Sequence, residues 1–139
     1  MKPSNSGFNT KNKYRIKCTH EIKGHSKQIN SINWSSDDKW VVTASHDQTA
    51  KVWDALRSGK LVVEITRHQE AVTAANFLFN NNEGTTKLIT AAVDKLVILW
   101  DIKVTSNHGL GDSSSGPFIY EAVELARIES RNYLDLAVT

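Results

Sequence analysis

The chain has 139 residues, one cysteine and a net charge of +2 from 17 basic and 15 acidic residues. A charge this near zero places no demand for an anionic partner on the chain as a whole, and one cysteine excludes a Cys-pair zinc knuckle. No run of about eighteen apolar residues is present to span a membrane, and the N-terminus lacks the apolar core of a signal peptide, so the expected compartment is reducing, cytoplasmic or nuclear.

In chain order, residues 1–15 hold Lys2, Lys11, Lys13 and Arg15 with no acidic residue, on a Ser/Asn/Gly background, and read as a disordered basic tail. Residues 16–22 read as a strand detached from the runs after it. Short β-branched and aromatic runs at 29–34, 40–45, 49–54 and 61–65 are separated by polar turns and predict one four-stranded antiparallel meander. Runs at 72–77, 88–92 and 96–101 repeat its first three strands. Residues 103–117 contain Gly109, Gly111, Gly116 and three successive serines before Pro117, and read as a flexible link. Beyond it, Phe118, Ala122, Leu125 and Glu129 form a weak helical stripe, whereas Ile119, Val123 and Leu125 suit the missing outer strand of the second unit. Both readings stand for 118–125, and helix or disorder is expected for 126–139.

The runs are two copies of one unit. His25 maps to His68 and Trp34 to Phe77 at 43 residues, while Thr43 maps to Thr90, Asp47 to Asp94 and Trp53 to Trp100 at 47. The change of offset falls between Phe77 and Leu88, where Asn80 to Lys87 replace a shorter Ser35 to Lys39. An insertion confined to a polar stretch lengthens a surface turn at little cost in loop-closure entropy.

Gly24-His25, followed by Thr43-Ala-Ser-His-Asp-Gln-Thr-Ala-Lys-Val-Trp53-Asp54, resembles a WD40 repeat, whose period of about 40 to 45 residues and Gly-His to Trp-Asp signature are those of propeller blades. The likeness covers residues 16–102; the second copy departs from it by carrying Arg67-His68, so the turn there lacks its glycine. The resemblance implies an all-β, incomplete WD40 β-propeller with one full blade at about 29–65 and partial blades on either side. It also implies two structural quartets: Trp53, Thr43, His25 and Asp47, and Trp100, Thr90, His68 and Asp94, each a chain from indole to hydroxyl to imidazole to carboxylate. Thr43 is preferred over Ser45 because Thr90 keeps the hydroxyl while Ser45 corresponds to Ala92. The family's narrow-face contact positions fall on Gln28, Asn30 and His46 in the first copy and on Ala71, Thr73 and Val93 in the second.

His, Asp and Thr are also the residue types of nucleophilic catalysis, but the same set occurs twice, each time with a Trp, and an enzyme has no evident use for two unactivated threonines. Cys18, His20 and His25 lie close in sequence, yet Cys18 and His20 alternate along a predicted strand, which gives no ligand set. No phosphate-binding glycine loop, His-Glu-x-x-His or nucleophile elbow occurs. No metal or other cofactor is therefore expected, and Asn33-Trp34-Ser35, a glycosylation sequon inside a strand, is expected to be silent.

The expected function is a non-catalytic scaffold that docks proteins or peptides within a larger complex. One alternative is a nucleic-acid-associated subunit acting through the basic tail. The other is a ubiquitin-ligase adaptor, for which the family wants Arg two places after Trp-Asp; Leu56 and Lys103 stand there, with Arg57 one place late. The smallest ring needs about 160 residues, so the chain reads as a fragment of a longer protein, with assembly of several chains into a ring as the other option.

Overall fold

The computed structural model describes residues 15–78, 86–105 and 119–130. Eight strands account for its regular structure: β1 Ile29–Trp34, β2 Trp40–Ser45, β3 Ala50–Asp54, β4 Lys60–Ile65, β5 Val72–Phe77, β6 Thr86–Ala92, β7 Leu96–Thr105 and β8 Ile119–Glu129. They form two antiparallel four-stranded sheets in sequence order, β1-β2-β3-β4 and β5-β6-β7-β8.

The pleat explains which residues meet. Alternate side chains of a strand point to opposite faces, so Val42 and Ala44 share one face of the first sheet with their partners Val52 and Ala50. With Val63 and Ile65 they pack on Val72, Ala75, Leu88, Ile98 and Trp100 of the second sheet, and this is the core. Val41, Thr43 and Trp53 point to the opposite side. Each fully buried Val, Leu or Ile contributes about 1.5 to 3 kcal/mol of transfer free energy, so the joint between the sheets is a principal source of stability.

The two sheets match in their irregularities. Both inner hairpins shift register at the same place, between Ile29 and Ser31 and between Val72 and Ala74. Both outer hairpins shift just before the repeated tryptophan, between Val52 and Trp53 and between Leu99 and Trp100. The β2–β3 and β6–β7 turns each place a non-glycine residue in the left-handed region, Gln48 at φ 73° and Lys95 at φ 67°.

Three expectations change. Residues 16–22 form no strand, because no described strand stands beside them to pair with; Ile22 instead lies against Gly59. The chain from 119 to 129 is strand throughout, which selects the outer-strand reading of 118–125 over the helical stripe and replaces the helix or disorder expected over 126–129. Its backbone groups are taken up by a ladder with β7 running from Thr105↔Ile119 to Leu96↔Glu129, and β7 itself continues through residues 103–105, which the sequence assigns to the link. The second unit thus has its fourth strand, and two four-stranded sheets replace one whole blade flanked by partial ones. Tyr120 anchors β8 by packing edge-on to Trp40 at 5.3 Å between ring centroids, with Phe77 on the same indole at 6.5 Å. Most of the basic tail, the inserted turn at 79–85, the link at 106–118 and residues 131–139 lie outside the described residues.

Candidate functional site

Each predicted quartet is brought together, and each runs across two strands, the turn that joins them and the loop before the sheet. In the first sheet the Trp53 indole N–H donates to Thr43 Oγ1 over 2.8 Å, and Thr43 Oγ1 stands 2.7 Å from His25 Nε2. His25 Nδ1 lies 2.8 Å from Asp47 Oδ2. In the second sheet the corresponding distances are 2.9 Å from Trp100 to Thr90, 2.8 Å from Thr90 to His68 Nε2 and 2.9 Å from His68 Nδ1 to Asp94 Oδ2. Tryptophan can only donate and an ionised carboxylate can only accept, which fixes the direction at both ends. With a neutral imidazole the proton sits on Nδ1 and donates to the carboxylate, and the threonine hydroxyl donates to Nε2 while accepting from the indole. Every donor then has an acceptor.

The carboxylates are tied down from several sides. Asp47 Oδ2 accepts the Ser26 amide at 3.0 Å, and Oδ1 accepts the Thr49 hydroxyl at 2.6 Å and the Thr49 amide at 3.0 Å. Burial alone would raise the Asp47 carboxyl, but hydrogen bonds from Thr49, His25 and the Ser26 and Thr49 amides outweigh it and hold the group well below the usual carboxylate range. Asp94 is also lowered: against the same desolvation stand the Gln69 and Leu96 amides and His68.

Several members of this framework escaped the sequence reading. Thr49 corresponds to Leu96, so the doubling that revealed the quartets could not reveal it; a Thr two places after a turn Asp was the available signal. Lys51 is buried in β3, donates from Nζ to Gly24 O over 2.7 Å and pairs at 3.1 Å with Glu64, its cross-strand partner. Its counterpart is Ile98, so it too lacked a repeat. Ser45, passed over for the quartet, donates to Gln28 O at 2.8 Å and accepts the Asp47 amide at 3.1 Å, which pins the turn to the loop before β1.

Gly24 is required by close approach: a Cβ there would overlap the six-membered ring of Trp53. Arg67 occupies the matched place in the second copy and reaches Glu124 at 3.6 Å, with the second quartet's distances unchanged within about 0.1 Å of the first. The two Trp-Asp aspartates differ as well. Asp54 Oδ1 accepts the amides of Leu56 and Arg57 as the chain turns, whereas β7 runs straight on past Asp101, whose Oδ1 is buried without a hydrogen-bond partner among the described residues.

The six predicted contact positions gather beside the β2–β3 and β6–β7 turns but are not alike. Gln28 and His46 are exposed and joined through the backbone, the His46 amide donating to Gln28 O at 2.9 Å. The Val93 amide makes the matched bond to Ala71 O at 2.9 Å, but Ala71 is buried and Val93 half-buried. Thr73 is exposed and donates to Ala91 O at 3.1 Å. The Asn30 amide donates to Val72 O at 2.8 Å, so it joins the two sheets. Asn33, the sequon residue, does likewise with Ala75 O at 2.8 Å, and the Ala75 amide donates to Ser31 Oγ at 3.2 Å. Cys18 and His20 are exposed, and no group of three or more metal-ligating side chains occurs among the described residues.

A four-stranded antiparallel meander, bulged before its tryptophan and braced by an indole–hydroxyl–imidazole–carboxylate chain, defines a propeller blade, and the described residues hold two. The family described as "WD domain, G-beta repeat" matches residues 16–54 and 59–101, and the chain belongs to the WD40 family. Its relatives include Periodic tryptophan protein 2 of Arabidopsis thaliana, 33% identical over 86 residues, or 62% of this chain and 9% of that protein. Mitogen-activated protein kinase kinase kinase A of Dictyostelium discoideum is 39% identical over 89 residues, 61% of this chain and 9% of that protein. The Ribosome biogenesis protein WDR12 homolog of Trichoplax adhaerens is 31% identical over 85 residues, 57% of this chain and 19% of that protein. The chain thus spans a tenth to a fifth of the length of these relatives.

Proposed function

We propose that the chain is a non-catalytic WD40 platform that holds protein or peptide partners within a multiprotein complex, in the cytoplasm or nucleus. The observation that carries this reading is that the polar side chains suited to chemistry are spent on each other. Thr43 and Thr90 are buried, each hydroxyl lies between an indole and an imidazole, and each imidazole is closed off by a carboxylate. A nucleophile must be reachable by its substrate and activated by a free base, and neither condition holds here. Docking falls to the exposed polar groups by the turns, Gln28 and His46, with Thr73 from the second blade. Asn30 is set aside as a contact because its amide serves the joint between the blades.

Gln28→Ala with His46→Ala, on otherwise intact chain, is expected to weaken partner capture at least about tenfold, equivalent to 1.4 kcal/mol, with the thermal midpoint unchanged. Undiminished capture would discard these contacts.

A second reading, association with nucleic acid, has support from the basic residues of the first seventeen positions and from likeness to a protein named for ribosome biogenesis. Salt-dependent retention on nucleic acid, lost on deleting residues 1–15, is its signature; retention that survives the deletion or ignores salt would exclude it.

A further inference from the structure

Three cavities run end to end along the joint between the blades, and each has one wall on either blade, so none lies on a face left uncovered. The first, of about 480 Å³, holds Trp40, Leu56 and Arg57 opposite Ile102, Val104 and Tyr120. Asp54, Arg57 and Tyr120 are shared with the second, of about 270 Å³, which adds Lys60, Leu61 and Ile119. Val62 and Tyr120 are shared in turn with the third, of about 460 Å³, which follows the first blade as far as Arg67 and meets Trp100, Glu121 and Ala122 of the second. The result is one groove along β4, with Tyr120 touching every part of it.

β4 is the last strand of the first sheet, so the backbone N–H and C=O groups that point away from β3 have no strand to pair with. Alternate side chains of a strand take opposite faces, so a cavity touched by Val62, Val63, Glu64 and Ile65 in succession reaches the edge of β4 itself. An open edge of this kind is a template for an added strand.

The two ends of the groove differ in charge. At the Lys60 end, Asp37 is paired with Lys39 at 3.2 Å and Asp54 Oδ1 is engaged by the Leu56 and Arg57 amides. That leaves two exposed cations: Arg57 reaches Asp54 Oδ2 only at 3.8 Å, and Lys60 forms no ion pair among the described residues. At the Arg67 end, Arg67 is paired with Glu124 at 3.6 Å and Glu64 with Lys51 at 3.1 Å, while the exposed Glu121 forms no ion pair among the described residues. Leu61 and Ile119, 40% and 46% exposed, lie between the charged ends.

We propose that this groove receives an extended peptide of a partner protein, paired edge to edge with β4. An acidic residue of the peptide lies beside Arg57 and Lys60, an apolar one against Leu61, Ile119 and Tyr120, and a basic one beside Glu121. Backbone pairing supplies affinity, and the opposed charges at the two ends select the sequence and fix its direction. The inference rests on the reading of the chain as a docking platform and adds a second surface to it, since Gln28 and His46 line none of the three cavities.

The test titrates a capped, fluorescent peptide, Asp-Asp-Val-Leu-Val-Lys-Lys, with the full chain and reads its anisotropy, using Arg57→Glu and Glu121→Lys. Both positions are exposed, so circular dichroism should show the fold of each variant unaltered. The expectation is saturable binding, weakened at least about tenfold by either substitution and by N-methylation of alternate peptide amides. For Arg57→Glu, a peptide with lysines in place of its aspartates should restore binding. Gln28→Ala with His46→Ala should leave it unchanged, so failure of the turn contacts and failure of the groove are separate results. No saturable binding, binding indifferent to Arg57→Glu and Glu121→Lys, or no restoration by the exchanged peptide would overturn the proposal. So would self-association of the chain that Arg57→Glu abolishes, which would assign the groove to a second copy.

Discussion

Thr43 and Thr90 are the pivots of the structure at the scale of single residues. Each hydroxyl accepts from an indole and donates to an imidazole, so removing any member of a quartet strands another polar group in a buried setting. A buried group left without its partner costs about 1 to 3 kcal/mol. Asp47→Ala is expected to lower stability in urea unfolding by that amount, for it removes the carboxylate shared by His25 Nδ1, the Ser26 amide and both Thr49 donors. Acid acts on the same groups. Asp47 and Asp94 have lower pKa values folded than unfolded, so they bind protons more readily in the unfolded chain. Their stabilisation is complete above the unfolded value of about 4 and is lost as pH falls below it towards the folded values. A urea midpoint that declines below about pH 4, with a shallower decline in Asp47→Asn, is expected. The quartets were legible because two copies with matched spacing separate a recurring side chain from a chance one. Thr49 and Lys51 were not, since their counterparts are Leu96 and Ile98, and the partners of Lys51, Gly24 and Glu64, are distant in sequence.

At the scale of strands, seven of the eight were readable to within a few residues from β-branched runs and turn residues. The eighth was ambiguous for a physical reason. Residues 119–129 mix Ala, Glu, Leu and Arg with Ile and Val, so local preference does not choose between helix and strand, and the choice is made by the open edge of β7. A strand expected at 16–22 fails for the converse reason, having suitable residues and no edge. Close packing behind Gly24 likewise involves a partner 29 positions away, Trp53, and no local pattern announces it. Gly24→Ala is expected to cost about 1 to 3 kcal/mol in thermal or urea unfolding, the usual penalty for overpacking, because the added carbon meets the edge of the indole's six-membered ring. Arg67→Ala at the matched position is expected to change stability by less than about 1 kcal/mol, since its pairing with Glu124 is largely solvent-exposed. Equal costs at the two sites would show that the packing differs from that described.

On the scale of the molecule, the repeat announced the family and the meander, while the joint between blades is visible only in the folded chain. Asn30 illustrates the limit: its position marked it as a partner contact, and its amide proves to be a fastening to Val72. The central claim is that two internally braced blades form one cooperative body through the core of Val42, Val52, Ile65, Val72 and Leu88. Hydrogen exchange at the Trp53 and Trp100 indole N–H groups tests it most directly. Both protons are expected to exchange slowly and at similar free-energy cost, and Asp47→Ala, though confined to the first blade, is expected to speed both together. Exchange as fast as that of an exposed indole, or acceleration of Trp53 alone, would contradict the account.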